Sequence, residues 1–148
     1  VTTMVSLTVP FLASYFFDLP VLFLRLPIAI AICFYYLILV HTISFIISTF
    51  AFHFTKISSI TVAKNLLLWL LMGELFPLDL LPPALYKIIA HLPFAGGIYI
   101  PVGYLTGRID LSMVASSALS ITLSLCVASL FAALLWRKGL ESYVGTGA

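Results

Sequence analysis

Charged side chains are spread so unevenly along this chain that the places without them define it. The sequence holds seven basic and five acidic residues, yet none lies between Arg25 and Lys56, between Asp110 and Arg137, or from Val1 to Phe17. A bilayer's hydrocarbon core is about 30 Å thick and takes about 20 helical residues to cross, and a charge at its centre costs at least about 2.5 kcal/mol. Uncharged runs of this length are what that solvent selects, and they indicate an integral membrane protein. Composition agrees, because 63% of the 148 residues are hydrophobic and only 8% charged, against about 25% charged in soluble domains. A formal net charge of +2 with scattered Lys and Arg offers no basic face for nucleic acid.

An all-α transmembrane bundle of about four spans is expected. The first span, about residues 1–24, is interrupted by Pro10 and Pro20 and carries Asp18 near its end. The second, about 28–55, follows Pro27, which suits a first helical turn, and continues without Gly, Pro or charge. At about 1.5 Å per residue it reaches roughly 42 Å, so it tilts or protrudes, with Phe34, Tyr35 and Tyr36 turned to lipid or to neighbouring helices. The third, about 58–77, spans only if Lys64 snorkels back to the interface along its own stem, and Glu74 then lies near its far end. The fourth, about 111–136, has small residues at every fourth position: Ser112, Ser116, Ser120, Ser124, Ala128 and Ala132. Lipid provides no hydrophobic drive for helix pairing, so such a stripe predicts close approach of a partner helix. A spacing of four drifts about 40° per step and predicts a crossed contact. The bland alternative is serine tolerated in lipid by bonding one turn back.

Between the last two spans, residues 77–110 are apolar but cannot form one helix. Pro77, Pro82, Pro83, Pro93, Gly96, Gly97, Pro101, Gly103 and Gly107 interrupt them. Within this stretch, Ala84 to Leu92 reads as a short amphipathic helix with Leu85, Ile88, Ile89 and Leu92 on one face and Lys87 and His91 on another. Gly96 and Gly97 read as a turn after Pro93. Irregular backbone at membrane depth persists only against protein or water, so a re-entrant or interfacial cap is expected here.

The run Gly73-Glu-Leu-Phe-Pro-Leu-Asp-Leu-Leu-Pro82, then Leu92-Pro-Phe94, Pro101 and Gly107, resembles the end of the fifth span and the re-entrant connection of type-2 ABC transporter permeases. The tail Trp136-Arg-Lys-Gly-Leu-Glu-Ser-Tyr143 is similar to the family's C-terminal signature. The resemblance implies gate residues Pro77, Asp79, Pro82, Pro93, Phe94, Pro101 and Gly107, and a C-terminal motif of Trp136, Arg137, Gly139, Leu140 and Tyr143. It also implies a six-span permease subunit in the cell's inner membrane, paired with a second permease subunit and served by a cytoplasmic ABC ATPase. Its termini, with the tail 137–148, would be cytoplasmic. About four spans and an initial Val suggest a piece of a longer chain lacking the first two spans and the amphipathic segment that docks on the ATPase. Lys56, Lys64, Arg137 and Lys138 inside, against Arg25, Lys87 and Arg108 outside, give a thin positive-inside excess.

No catalytic, cofactor or metal site is expected. No Gly is followed by the Lys-Ser or Lys-Thr pair of a phosphate-binding loop, so ATP hydrolysis belongs to another chain. His41 and His53 diverge by about 120° around one helix, too far for a shared metal. Glu74 and Asp79 are separated by Pro77 and read as interfacial groups. Cys33 and Cys126 read as small apolar fillers. Two rivals remain: a membrane-embedded enzyme using Glu74, Asp79 or His91, and a non-transporting assembly protein built on the last helix.

Overall fold

The computed structural model describes residue 16 and residues 21–50 and 58–144, the last four by backbone alone. The described residues contain helices and turns but no strand. Five α-helices follow in order: α1 (Leu26–Thr49), α2 (Ser58–Leu71), α3 (Pro83–His91), α4 (Tyr99–Leu105) and α5 (Leu111–Val144). Short 3-10 turns lie at Phe23–Arg25, Leu78–Leu80 and Pro93–Gly96. Two stretches, Phe23–Thr49 and Leu111–Leu140, are long and apolar enough to cross a membrane. The first expected span lies almost wholly outside the described residues, as do Lys56 and His53.

α1 and α5 lie side by side and run in the same direction. Arg25 meets the carbonyl of Ile109 at the start, Tyr35 Oη meets Thr122 Oγ1 at 2.8 Å midway, and the Phe45 and Trp136 rings lie 5.4 Å apart near the end. Their seam is built from Ile32, Tyr36, Leu39 and Ile121, with Ile43, Leu125 and Ala128 packed against it. On α1 the buried positions Ala29, Ile32, Tyr36 and Leu39 recur at alternating intervals of three and four, the pattern of a helix pair wound gently together. Phe34, the neighbour of this seam in sequence, is exposed, while Tyr35 is half-buried. Only 17% of the most apolar window of the first stretch and 11% of the second are buried. The remaining faces are thus apolar surface suited to lipid or to other helices.

α2 runs antiparallel to α1, with Lys64 opposite Ser44 and Met72 opposite Tyr36. It ends six residues before the expected limit at Pro77, and Gly73 is the cause. Gly73 has φ +82, its N–H reaches the Leu70 carbonyl, and the Glu74 N–H reaches that of Trp69. That is a Schellman closure, which glycine accepts without a Cβ penalty. At 14 residues, α2 is about 21 Å long, short of a full hydrocarbon core. Lys64 does not reach along its own stem towards the helix end; its Nζ donates to Ser44 Oγ on α1 at 2.8 Å.

At the other limit α5 continues as one helix through Arg137, Lys138 and Gly139 to Val144. Nothing in Trp136-Arg-Lys-Gly-Leu-Glu breaks a helix except the modest penalty of Gly139. The expected tail therefore begins as a continuation of the span.

Candidate functional site at the head of the helix pair

Residues 72–110 fold onto the end of the bundle where α1 and α5 both begin. Pro77 and Pro82 hold extended backbone, with ψ 131 and 142, and each opens a helical turn behind it. Pro83 begins α3, where a missing N–H costs nothing. Leu92 is extended because Pro93 follows, so α3 stops at His91. The buried Pro93 starts a turn that carries Phe94 into the α1/α5 seam. α4 then climbs back along α1, with Pro101 buried in its first turn, until Leu105 accepts from the Leu22 N–H. Gly107, at φ +75, turns the chain into α5.

The deepest point is Gly96-Gly97. A Cβ on Gly96 would lie 2.8 Å from Ile121 Cδ1 on α5, and one on Gly97 would lie 2.6 Å from Tyr36 Cε1 on α1. Tyr36 lies about 15 Å along α1 from Leu26, so the segment penetrates well into the helix pair. Gly97 has ordinary helical dihedrals, φ −72 and ψ −50. The two glycines lie in the expected turn after Pro93, and what they provide there is close approach rather than conformational freedom.

Around this wedge lies a core of Leu78, Ala95, Tyr99, Ile100, Tyr104, Ile109 and Val114. Above it is a polar network. Tyr99 donates to Asp79 Oδ1 at 2.6 Å, Arg108 Nη1 donates to Asp79 Oδ2 at 2.9 Å, and the Tyr86 and Tyr99 hydroxyls are 2.8 Å apart. Burial, then the hydrogen bonds to Asp79 and Tyr86, raise the Tyr99 phenol well above its ordinary range. It therefore remains a donor at working pH. Asp79 thus ties the start of the segment to its end through Arg108 and to its middle through Tyr99.

Arg25 makes the corresponding tie to α1. Its Nη1 donates to the carbonyls of Tyr104 and Ile109, at 3.1 and 3.5 Å, and its guanidinium lies 4.8 Å from the Tyr104 ring centroid. A cation at the carbonyl end of α4 is favoured by that helix's dipole.

α3 turns differently from the expected face. Tyr86, Ile89 and Ala90 face inward, whereas Leu85 and Ile88 are exposed. Lys87 and His91 are exposed too, with His91 Nδ1 at 2.8 Å from the Lys87 carbonyl. Periodicity alone could not place this helix, because its neighbours Tyr99 and Leu78 select the aromatic side.

The small-residue stripe divides. Ser112 and Ser116 are exposed, and the Ser116 hydroxyl donates to the Met113 carbonyl of its own helix. Ser120 donates to the His91 carbonyl at 3.0 Å, joining α5 to the end of α3. Ser124 is half-buried, Ala128 packs on the α1 seam and Ala132 is buried. The inward face of α5 runs through Val114, Ser117, Ile121 and Ala132, so it follows the mixed three-and-four spacing and not a strict four. In the C-terminal motif, Trp136 stacks at a tilt on Phe45, Gly139 is buried, and Arg137 and Leu140 are exposed. The side chain of Tyr143 lies outside the described residues.

His41 is exposed on α1, and Glu74 is exposed just after α2. Both carboxylate oxygens of Asp79 are engaged by Tyr99 and Arg108, which makes the group a structural tie. Cys33 turns inward, its Sγ 3.7 Å from the Gly97 carbonyl, while Cys126 is exposed on α5. Sequence reasoning did not anticipate the roles of Arg25, Tyr86, Tyr99 and Tyr104. A usable signal was present for Arg25, a charge placed just before a long uncharged run.

The network makes a graded prediction. Tyr99→Phe removes a hydrogen bond to a charged acceptor and should lower stability by about 1.5–3 kcal/mol. Arg108→Ala breaks an ion pair whose side chains are 56% and 43% exposed, and should cost less than about 1 kcal/mol. Thermal unfolding of the two purified variants checks the order, and an equal or larger loss at Arg108 would refute it.

A family model described as ABC-2 family transporter protein matches residues 6–147. No curated protein and no solved structure matches the chain.

Proposed function

Since the chain belongs to the ABC-2 transporter family, a membrane permease family, we propose that it forms the translocation pathway of an ATP-driven exporter together with a separate cytoplasmic ATPase and a second permease subunit. The observation that carries this reading is the wedge at Gly96-Gly97. A folded segment inserted between two parallel, membrane-length helices is suited to act as a gate, because shifting α1 against α5 must move it. Because α1 and α5 run in the same direction, both cross the membrane in the same sense. The head, with Arg25, Asp79, Lys87 and Arg108, then faces outward. Lys64, Arg137 and Lys138 lie towards the cytoplasmic side, in keeping with the positive-inside tendency. ATP binding in the partner rocks the helices between inward- and outward-facing states, and the segment 77–110 closes the outer side. Pro77, Pro82, Pro93, Phe94 and Pro101 hold the gate's path, and Trp136, Arg137, Gly139, Leu140 and Tyr143 form the helix end nearest the ATPase.

Two measurements test this. A cysteine at Ala84, exposed on α3, should react with a membrane-impermeant maleimide in intact cells, whereas one at Ser142 should react only after permeabilisation. The reverse pattern would overturn the orientation. Affinity purification of the permease from its native membrane should recover an ABC ATPase whose turnover depends on it. Recovery without any ATPase, with hydrolytic activity abolished by Glu74→Gln or His91→Ala, would favour a membrane enzyme instead.

A further inference from the structure

Lys64 lies half-buried between α1 and α2, with one side-chain partner among the described residues. An ammonium has three N–H donors, and Lys64 spends one of them on Ser44 Oγ at 2.8 Å. Ser44 Oγ in turn donates to the Val40 carbonyl at 2.8 Å. Among the described residues no carboxylate pairs with Lys64, and Glu74 and Asp79 belong to the opposite end of the bundle. A half-buried cation at membrane depth with no carboxylate beside it is a candidate site for an anion.

Its depth indicates what binds. The apolar stretch Phe23–Thr49 has 27 residues, about 40 Å of helix, and so overhangs a 30 Å core by about 5 Å at each end. Ser44 lies about 7.5 Å in from Thr49. The ammonium is therefore within about 3 Å of the hydrocarbon boundary, close to the phosphates of a lipid leaflet. A cleft of about 280 Å³ runs between α1 and α2 from Val40 and Asn65, one turn in from Ser44 and next to Lys64, towards Gly97. Asn65, next to Lys64, is a polar member of its lining, and Leu37, Val40, Leu68, Trp69 and Met72 are apolar. α2 touches α1 far less than α5 does, so the cleft is open to a chain from the bilayer.

We propose that this cleft binds an anionic phospholipid, with its phosphate on the Lys64 ammonium that Ser44 holds in place and one acyl chain along Trp69 and Met72. The inference requires only that the chain is in a membrane, and stands apart from the gate and from export.

Trp69 provides the readout. The sequence has two tryptophans, so Trp136→Phe leaves Trp69 as the sole emitter. In nanodiscs of phosphatidylcholine, phosphatidylglycerol with brominated acyl chains should half-quench Trp69 at a mole fraction about fivefold lower than brominated phosphatidylcholine does, the factor expected of one basic residue near an anionic surface. Lys64→Met should remove that preference, Lys64→Arg should keep it, and Ser44→Ala should reduce it. Equal quenching by the two lipids in the parent protein would overturn the proposal, as would a preference that survives Lys64→Met. If Lys64→Met does not fold, an undiminished fivefold preference in Ser44→Ala overturns it. Loss of the preference on adding excess inorganic phosphate would identify a free-anion site and overturn it also.

Discussion

Gly97→Ala should destabilise the protein by about 2–3 kcal/mol, and Gly97→Val by more. The added Cβ would lie 2.6 Å from Tyr36 Cε1 and 3.0 Å from Met72 Sδ. Methionine can yield, but a phenol ring packed in the α1/α5 seam has no free rotation to give, and overpacked cores typically lose 1–3 kcal/mol. The backbone itself has no objection to alanine at φ −72 and ψ −50. The loss should therefore depend on Tyr36: in a Tyr36→Leu background, Gly97→Ala should cost less than about 0.5 kcal/mol. Thermal unfolding of the four proteins of this cycle measures the coupling directly. Additive losses would mean that glycine is needed for the path of the chain and not for contact with α1. In the assembled transporter the same substitution should also impair transport, because it forces the wedge away from α1.

Arg25→Ala should be comparably severe, at about 3 kcal/mol. It removes charge-assisted hydrogen bonds to the Tyr104 and Ile109 carbonyls, each neutral partner being worth about 1.5–3 kcal/mol in such bonds, and a cation placed 4.8 Å from the Tyr104 ring. The two carbonyls belong to the end of α4 and the approach to α5, so the head should loosen from α1 while the lower seam stays intact. Hydrogen exchange should report this as faster exchange across residues 99–110, with little change around Leu39 and Ile121. Lysine at position 25 should rescue poorly, since a shorter ammonium lacks the planar guanidinium that lies near the Tyr104 ring. Uniform exchange along the chain would show that Arg25 is not a local fastener.

Much of this architecture is legible in the residues. The uncharged runs locate the starts of α1 and α5 to within a few positions, and the prolines predict where the connecting segment must break. Pro82-Pro83 and Pro93 bracket α3 almost to the residue. What is not legible is which neighbour each face meets. Leu85 and Ile88 share a helical face with Ile89 in projection, yet the aromatic pair Tyr86 and Tyr99 turns that helix so that they point outward. The small-residue stripe divides for a similar reason. A spacing of four is regular in sequence, but α1 and α5 wind along a 3.5-residue seam, so Ser112 and Ser116 rotate out before Ala128 and Ala132 rotate in. Gly73 carried a readable stop signal that the more conspicuous Pro77 obscured. The polar network is the least legible part, because Asp79, Tyr99 and Arg108 are brought together only by three turns of backbone.

The parallel pairing of α1 and α5 also has a consequence for biogenesis. Two helices that enter the membrane in the same sense cannot be joined by a hairpin, and here the first fastening, Arg25 to Ile109, joins positions 84 residues apart. At roughly 5–20 residues per second of synthesis, α1 waits about 4–17 s for its partner. During that interval Ile32, Tyr36 and Leu39 have no seam to enter, and Arg25 has no carbonyls to cap. The nascent chain must be held at the insertion machinery or in lipid until α5 emerges, so ribosomes stalled before residue 111 should leave a product that is inserted but quickly degraded.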